Sequence, residues 1–112
     1  MSAIPVIDDA VFEELKAAAG DDFVADLVGT FFEEAPPMLA ELREALAGAQ
    51  AERFRRTAHS LKTNAHTFGA MALGAVAKSL ELDGLPADGR VLDDLDAAYA
   101  QAVAALQERT RG

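Results

Sequence analysis

Apolar residues recur along this chain at steps of three and four. Val28, Phe31, Ala35, Met38, Leu42 and Leu46 form one such row, Phe54, Ala58, Leu61, Ala65 and Phe68 a second, and Leu92, Leu95, Tyr99, Val103 and Leu106 a third. That spacing lays each row along one face of a helix. No stretch alternates apolar and polar residues with β-branched enrichment, so no strand is predicted. The pattern predicts helices near 8–19, 22–47, 50–67, 70–83 and 90–108. Asp8 or Asp9 and Asp22 suit N-caps, and Gly20 and Gly48 suit helix C-termini. Pro36 and Pro37 would normally interrupt a helix. The first row keeps its phase straight through them, which predicts one long kinked helix rather than two. Phe31 and Phe32 are adjacent, so at most one can point squarely at the core. Long amphipathic helices with short links predict an all-α antiparallel four-helix bundle preceded by a short N-terminal helix, with residues 1–112 as a single domain.

Composition narrows the function classes. The chain has 112 residues, half of them apolar and a quarter charged, with a net charge of −9. It has no cysteine, which excludes disulfides, thiolate chemistry and Cys-based metal sites. The start MSAIPVIDD has neither a basic region nor an apolar run, and no segment approaches the ~18 apolar residues of a membrane span. A cytoplasmic protein with no membrane partner is expected, and Met1 suggests a free-standing one. An acidic chain lacks the broad basic footprint that nucleic acid requires, so no nucleic-acid partner is expected. There is no Gly-rich nucleotide loop and no Ser-His-Asp order, which argues against an autonomous enzyme.

The charge is unevenly placed. From Arg53 to Leu80 there is no Asp or Glu, and both histidines lie inside that interval. On the third helix, Arg55, His59, Lys62 and His66 step by four, three and four. They form a basic row with His59 turned ~140° from the centre of the apolar one, at 3.6 residues per turn. On spacing alone such a row reads first as a solvated face. Metal binding fits poorly. His59 and His66 are seven residues apart, about 10 Å along the axis, whereas paired helical zinc ligands stand four apart. No carboxylate is expected nearby to complete a coordination shell.

A further reading comes from resemblance. Ala58-His59-Ser60-Leu61-Lys62, followed by Phe68-Gly69-Ala70, resembles the signature of histidine-containing phosphotransfer (HPt) domains, Ala-His-x-Leu-Lys-Gly with an apolar residue and Gly downstream. Residues 31–48, FFEEAPPMLAELREALAG, are similar to the family's long second helix, and the likeness spans nearly the whole chain. It implies a covalent phosphocarrier in a two-component phosphorelay, taking a phosphoryl group from the aspartyl phosphate of a response-regulator receiver domain or a hybrid histidine kinase and passing it on. His59 would be the phosphoacceptor, since a histidine with an ordinary pKa of about 6.5 keeps an unprotonated ring nitrogen at neutral pH. Lys62 would stabilise the phosphoryl oxygens. Arg55, Thr63, His66 and Gly69 would border the docking face, with Gly69 also allowing a tight helix link. The chain would need no cofactor or metal of its own, Mg²⁺ being expected on the partner receiver, and would act as a monomer. An acid-free face suits an anionic group and an acidic partner.

Three positions depart from the signature: Thr63 and Asn64 stand where the family commonly has Gly and Ser, and His66 stands where a small residue is usual. A Thr beside the histidine narrows the approach of a receiver. It keeps open an alternative, an HPt-like docking module that regulates a kinase or receiver by binding and carries no phosphate.

Overall fold

The computed structural model describes residues 4–111. Met1, on which the expectation of a free-standing chain rests, lies outside them. Five helices follow one another: α1 (Asp9–Ala19), α2 (Asp21–Ala47), α3 (Ala51–Thr67), α4 (Met71–Asp83) and α5 (Arg90–Thr110). Each matches a predicted helix to within about two residues, and no strand occurs among the described residues.

The helix ends are set by short-range chemistry. Asp8 caps α1 by accepting from the backbone N–H groups of Ala10 and Val11 at 3.0 and 3.4 Å, meeting two of the donors a helix start leaves open. Gly20 ends α1 at φ 90° and also precedes α2, which has no side-chain cap. Asp22 is therefore not the N-cap expected of it. It lies with Asp21 in the first turn of α2, where a negative charge opposes the helix dipole. Gly48 ends α2 as expected, but its φ is −90°. The left-handed residue that turns the chain into α3 is Ala49, at φ 53°.

Helix α2 runs unbroken through Pro36 and Pro37. Both prolines are exposed, so their rings avoid the core and the carbonyls they leave without helical donors lie where water can reach. Val28, Phe31, Ala35 and Leu42 are buried, while Met38 and Leu46 pack half-buried at the edge of the core. Of the adjacent pair, Phe31 is buried and Phe32 half-buried. Phe31 meets Phe68 of the α3–α4 link and Tyr99 of α5 at ring-centroid distances of 5.2 and 5.9 Å.

Helices α2 to α5 close a ring in which α2 packs on α3, α3 on α4, α4 on α5 and α5 on α2; α1 lies against α2 and α3. The architecture is the expected all-α bundle with a short first helix. All five members of the α3 apolar row, Phe54 to Phe68, are buried, which fixes the rotation of α3 and turns the His59 row outward.

The α3–α4 link is tight because Gly69 adopts φ 75°. A Cβ there would lie 2.8 Å from the Asp8 carbonyl and 3.2 Å from the Val11 side chain. The Asp8 N–H in turn donates to the Gly69 carbonyl at 2.7 Å, and the Ala72 N–H donates to the Pro5 carbonyl at 3.0 Å. The segment before α1 is thus tied across the link, with Ile7 and Phe12 inserted in the core.

Candidate functional site

The His59 side chain stands on the outer face of α3 and is 55% exposed. Its Nδ1 lies 2.8 Å from Oε2 of Glu81, near the end of α4. The other oxygen of that carboxylate, Oε1, lies 2.7 Å from Nζ of Lys62, whose side chain is only 22% exposed. One carboxylate from α4 therefore engages two neighbours on α3. The two helices meet with Glu81 opposite the turn that carries both residues.

This overturns two expectations. The basic row is not free of carboxylates, and Lys62 is not fully solvated. Glu81 is the first residue beyond the acid-free interval; antiparallel packing folds it back onto the row that it trails in sequence by 22 positions. Helical spacing along α3 cannot reveal a residue delivered by another helix.

Chemically, Glu81 fixes the ring. An ionised carboxylate can only accept a hydrogen bond, so in the neutral imidazole Nδ1 carries the proton and Nε2 keeps its lone pair. The Lys62 ammonium, and then the His59 ring, hold the Glu81 carboxyl below the usual carboxylate range against the opposing effect of burial. Glu81 is thus ionised at neutral pH.

The remaining expected residues separate into groups. Arg55 is exposed and paired with Glu52 one turn back. Thr63 is exposed and bonds its own helix, Oγ1 donating to the His59 carbonyl at 3.1 Å. With its hydroxyl engaged there, it lines a groove beside His59 together with Met38, Ser60 and Asn64. His66 lies two turns farther along, its ring over Gly74 of α4 so closely that a Cβ at that glycine would fall 2.5 Å from it. His66 thus packs across the α3–α4 seam, away from the His59–Glu81 pair. Gly69 is buried and contacts the α1 segment, which removes it from the docking face: its role is the link. Among the described residues no three His, Asp or Glu side chains gather as a metal site, and no helix is long and apolar enough to cross a membrane.

On the α2 side, a second group had no sequence signal beyond its composition. Arg53 bonds Glu41 and Glu44 at 3.0 Å each, and the buried Thr57 donates to Glu41 at 3.1 Å. The Arg53 guanidinium and then the Thr57 hydroxyl hold Glu41 below the usual carboxylate range. This cluster braces α2 against α3 next to a groove lined also by Arg56 and Ser60.

Comparison with known proteins bears on this arrangement. No curated protein matches the chain in sequence. Among solved structures, the fold is similar to the histidine-containing phosphotransfer protein B (HptB) from Pseudomonas aeruginosa PAO1, with a TM-score of 0.84 and 24% identity over 97% of each chain. The family model for the Hpt domain matches residues 26–107, well over half of the chain and inclusive of α3 and α4. The chain is a member of the Hpt domain family.

Proposed function

We propose that the chain carries a phosphoryl group on Nε2 of His59 between receiver domains. The observation that carries this reading is the His59–Glu81 hydrogen bond on an exposed ring, which leaves Nε2 as the nitrogen with a free lone pair. In the first transfer that lone pair attacks phosphorus of an aspartyl phosphate on the partner. The N–P bond forms as the P–O bond to the aspartate breaks, and the electron pair leaves with the carboxylate. In the second, a carboxylate oxygen of the next receiver attacks phosphorus and the N–P pair returns to Nε2. Positioning and charge neutralisation dominate the energetics of such transfers.

Lys62 supplies the neutralising charge. It shares the Glu81 carboxylate with His59, so its ammonium is held next to the reacting ring. The phosphoryl group comes from the partner, which makes the chain a carrier rather than a kinase. Mg²⁺ belongs to the receiver in this reading, and the carrier acts as a cytoplasmic monomer. Thr63 favours a second reading, because it borders the groove beside His59 where the family commonly has glycine: the chain then docks on a receiver or kinase without taking phosphate.

The test is label transfer from radiolabelled phosphorylated receivers. Wild type should gain acid-labile label, His59→Gln none, and His66→Gln most of the wild-type amount. Label mapped to His66 by mass spectrometry would refute the assignment, and tight binding without label would establish the docking reading.

A further inference from the structure

The acid-free interval holds five cations: Arg53, Arg55, Arg56, Lys62 and Lys78. Three of them are neutralised by carboxylates from outside it. Arg53 pairs with Glu41 and Glu44, Arg55 with Glu52, and Lys62 with Glu81. Arg56 and Lys78 form no ion pair with any described residue, and both are exposed. Arg56 lies near enough to Glu41 and Glu52 to favour their charged forms, yet in a chain of net charge −9 it and Lys78 are the two cations of this face that no carboxylate pairs directly.

Their positions bracket His59. Arg56 lies three residues before it on α3, about 4.5 Å along the axis and 60° around it. It faces the α2 side, in the groove shared with Ser60, Thr57 and Arg53. Lys78 lies on the α4 side. Gly74 touches the His66 ring, and Glu81 hydrogen-bonds His59 and forms an ion pair with Lys62, so the row 74, 78, 81 of α4 runs beside the α3 row. Lys78 occupies the turn between those two contacts.

We propose that Arg56 and Lys78 are the cations that draw an acidic receiver domain onto this face, one on each flank of His59, while Arg53, Arg55 and Lys62 contribute little to attraction at a distance. This rests on the receiver reading above. The physical reason is range. A charge paired within about 3 Å presents a dipole to an approaching partner, and its field falls off faster than that of an unpaired charge. Unpaired cations on an otherwise acidic surface also fix orientation, because a receiver whose aspartate pocket is acidic is repelled everywhere else. Charge complementarity thus selects the acidic rim of a receiver pocket as the occupant.

The experiment is stopped-flow association of the full chain with a panel of fluorescently labelled receiver domains from the source organism, at low and at raised salt. The double variant Arg56→Gln/Lys78→Gln should associate about tenfold more slowly at low salt, with a shallower salt dependence. Phosphoryl transfer within the preassembled complex should be unchanged. Arg43→Gln serves as the control, since Arg43 is already paired with Asp93 and Asp96 on the α2–α5 side, and should associate like wild type. Circular dichroism should report the same fold for all three. Association of the double variant at the wild-type rate, a loss confined to the transfer step, or no association of wild type with any receiver would each overturn the proposal. Association without uptake of label would instead count against phosphoryl transfer and leave the steering pair standing.

Discussion

Glu81 Oε2 accepts from His59 Nδ1 at 2.8 Å across the seam between α3 and α4. The bond sets which imidazole nitrogen is nucleophilic, and it exists only when the two helices are packed. Glu81→Ala should therefore slow phosphoryl uptake, because the ring loses its preferred tautomer and orientation, whereas Glu81→Gln should retain part of the rate through its amide oxygen. Single-turnover transfer and the pH profile of uptake would check both. Equal rates for wild type and Glu81→Ala would show that the bond does not matter for transfer.

Acid should undo the same contact. The carboxyl pKa of Glu81 is lowered in the folded state, so its contribution to stability is present above the unfolded value of about 4.3 and is lost as pH falls through the lower folded value. Wild type should be more stable than Glu81→Gln at pH 7, and the gap should close below about pH 4. Denaturant midpoints measured across that range would test it. A gap that stayed constant with pH would mean that the Glu81 charge contributes nothing to stability.

In the proposed transfer Lys62 faces the phosphoryl oxygens, so Lys62→Ala should depress the rate. Single electrostatic contributors of this type are worth roughly 2–4 kcal/mol of barrier. Because the substitution also leaves Glu81 without its cation, Lys62→Arg is the informative companion and should recover part of the rate. If transfer in Lys62→Ala proceeded as in wild type, the lysine would serve only the helix seam.

Thr63→Gly should widen the groove beside His59 and raise transfer from receivers other than the cognate one. It costs up to ~1 kcal/mol of helix stability, less the penalty that Thr itself carries relative to Ala. Transfer across a receiver panel, before and after substitution, reads the effect. A glycine variant that transferred no faster with any receiver would make Thr63 a bystander.

Two link residues should respond to substitution with opposite sign. Ala49 occupies left-handed space at φ 53°, and Ala49→Gly should stabilise the bundle by about 1 kcal/mol. Gly69 also lies in left-handed space, and a Cβ there meets the Asp8 carbonyl, so Gly69→Ala should destabilise by at least 1–3 kcal/mol, roughly the strain of such a backbone. Thermal unfolding of both variants would settle the signs.

Apolar spacing marked three of the five helices, α2, α3 and α5, because each buries one row and leaves the rest to water; α1 buries only Phe12 and showed no such row. Phe54 to Phe68 show this most clearly: the row that predicted the core of α3 also determined which way His59 faces. Ends were less legible. Asp22 has the chemistry of a cap, yet α2 begins one residue earlier, directly after Gly20. Ala49, with no sequence mark of a turn, takes the strained position beside the glycine that seemed made for it. The site was half legible. His59 and Lys62 stand on one helix at a readable spacing, but Glu81 from α4 and Glu41 from α2 join α3 through packing between helices. An interval without acids looked like an uncompensated basic surface, when three of its five cations are paired by residues lying just outside it.

The clasp of Pro5 and Asp8 over the α3–α4 link lies upstream of the region the family model matches, residues 26–107. Excision of that region alone would discard Ile7, Phe12 and both backbone bonds to the link, and would open the core beneath Phe68 and Ala70. A fragment limited to residues 26–107 should therefore unfold at lower temperature than the full chain. A truncation made where that match begins would weaken the very hairpin of helices that brings Glu81 to His59.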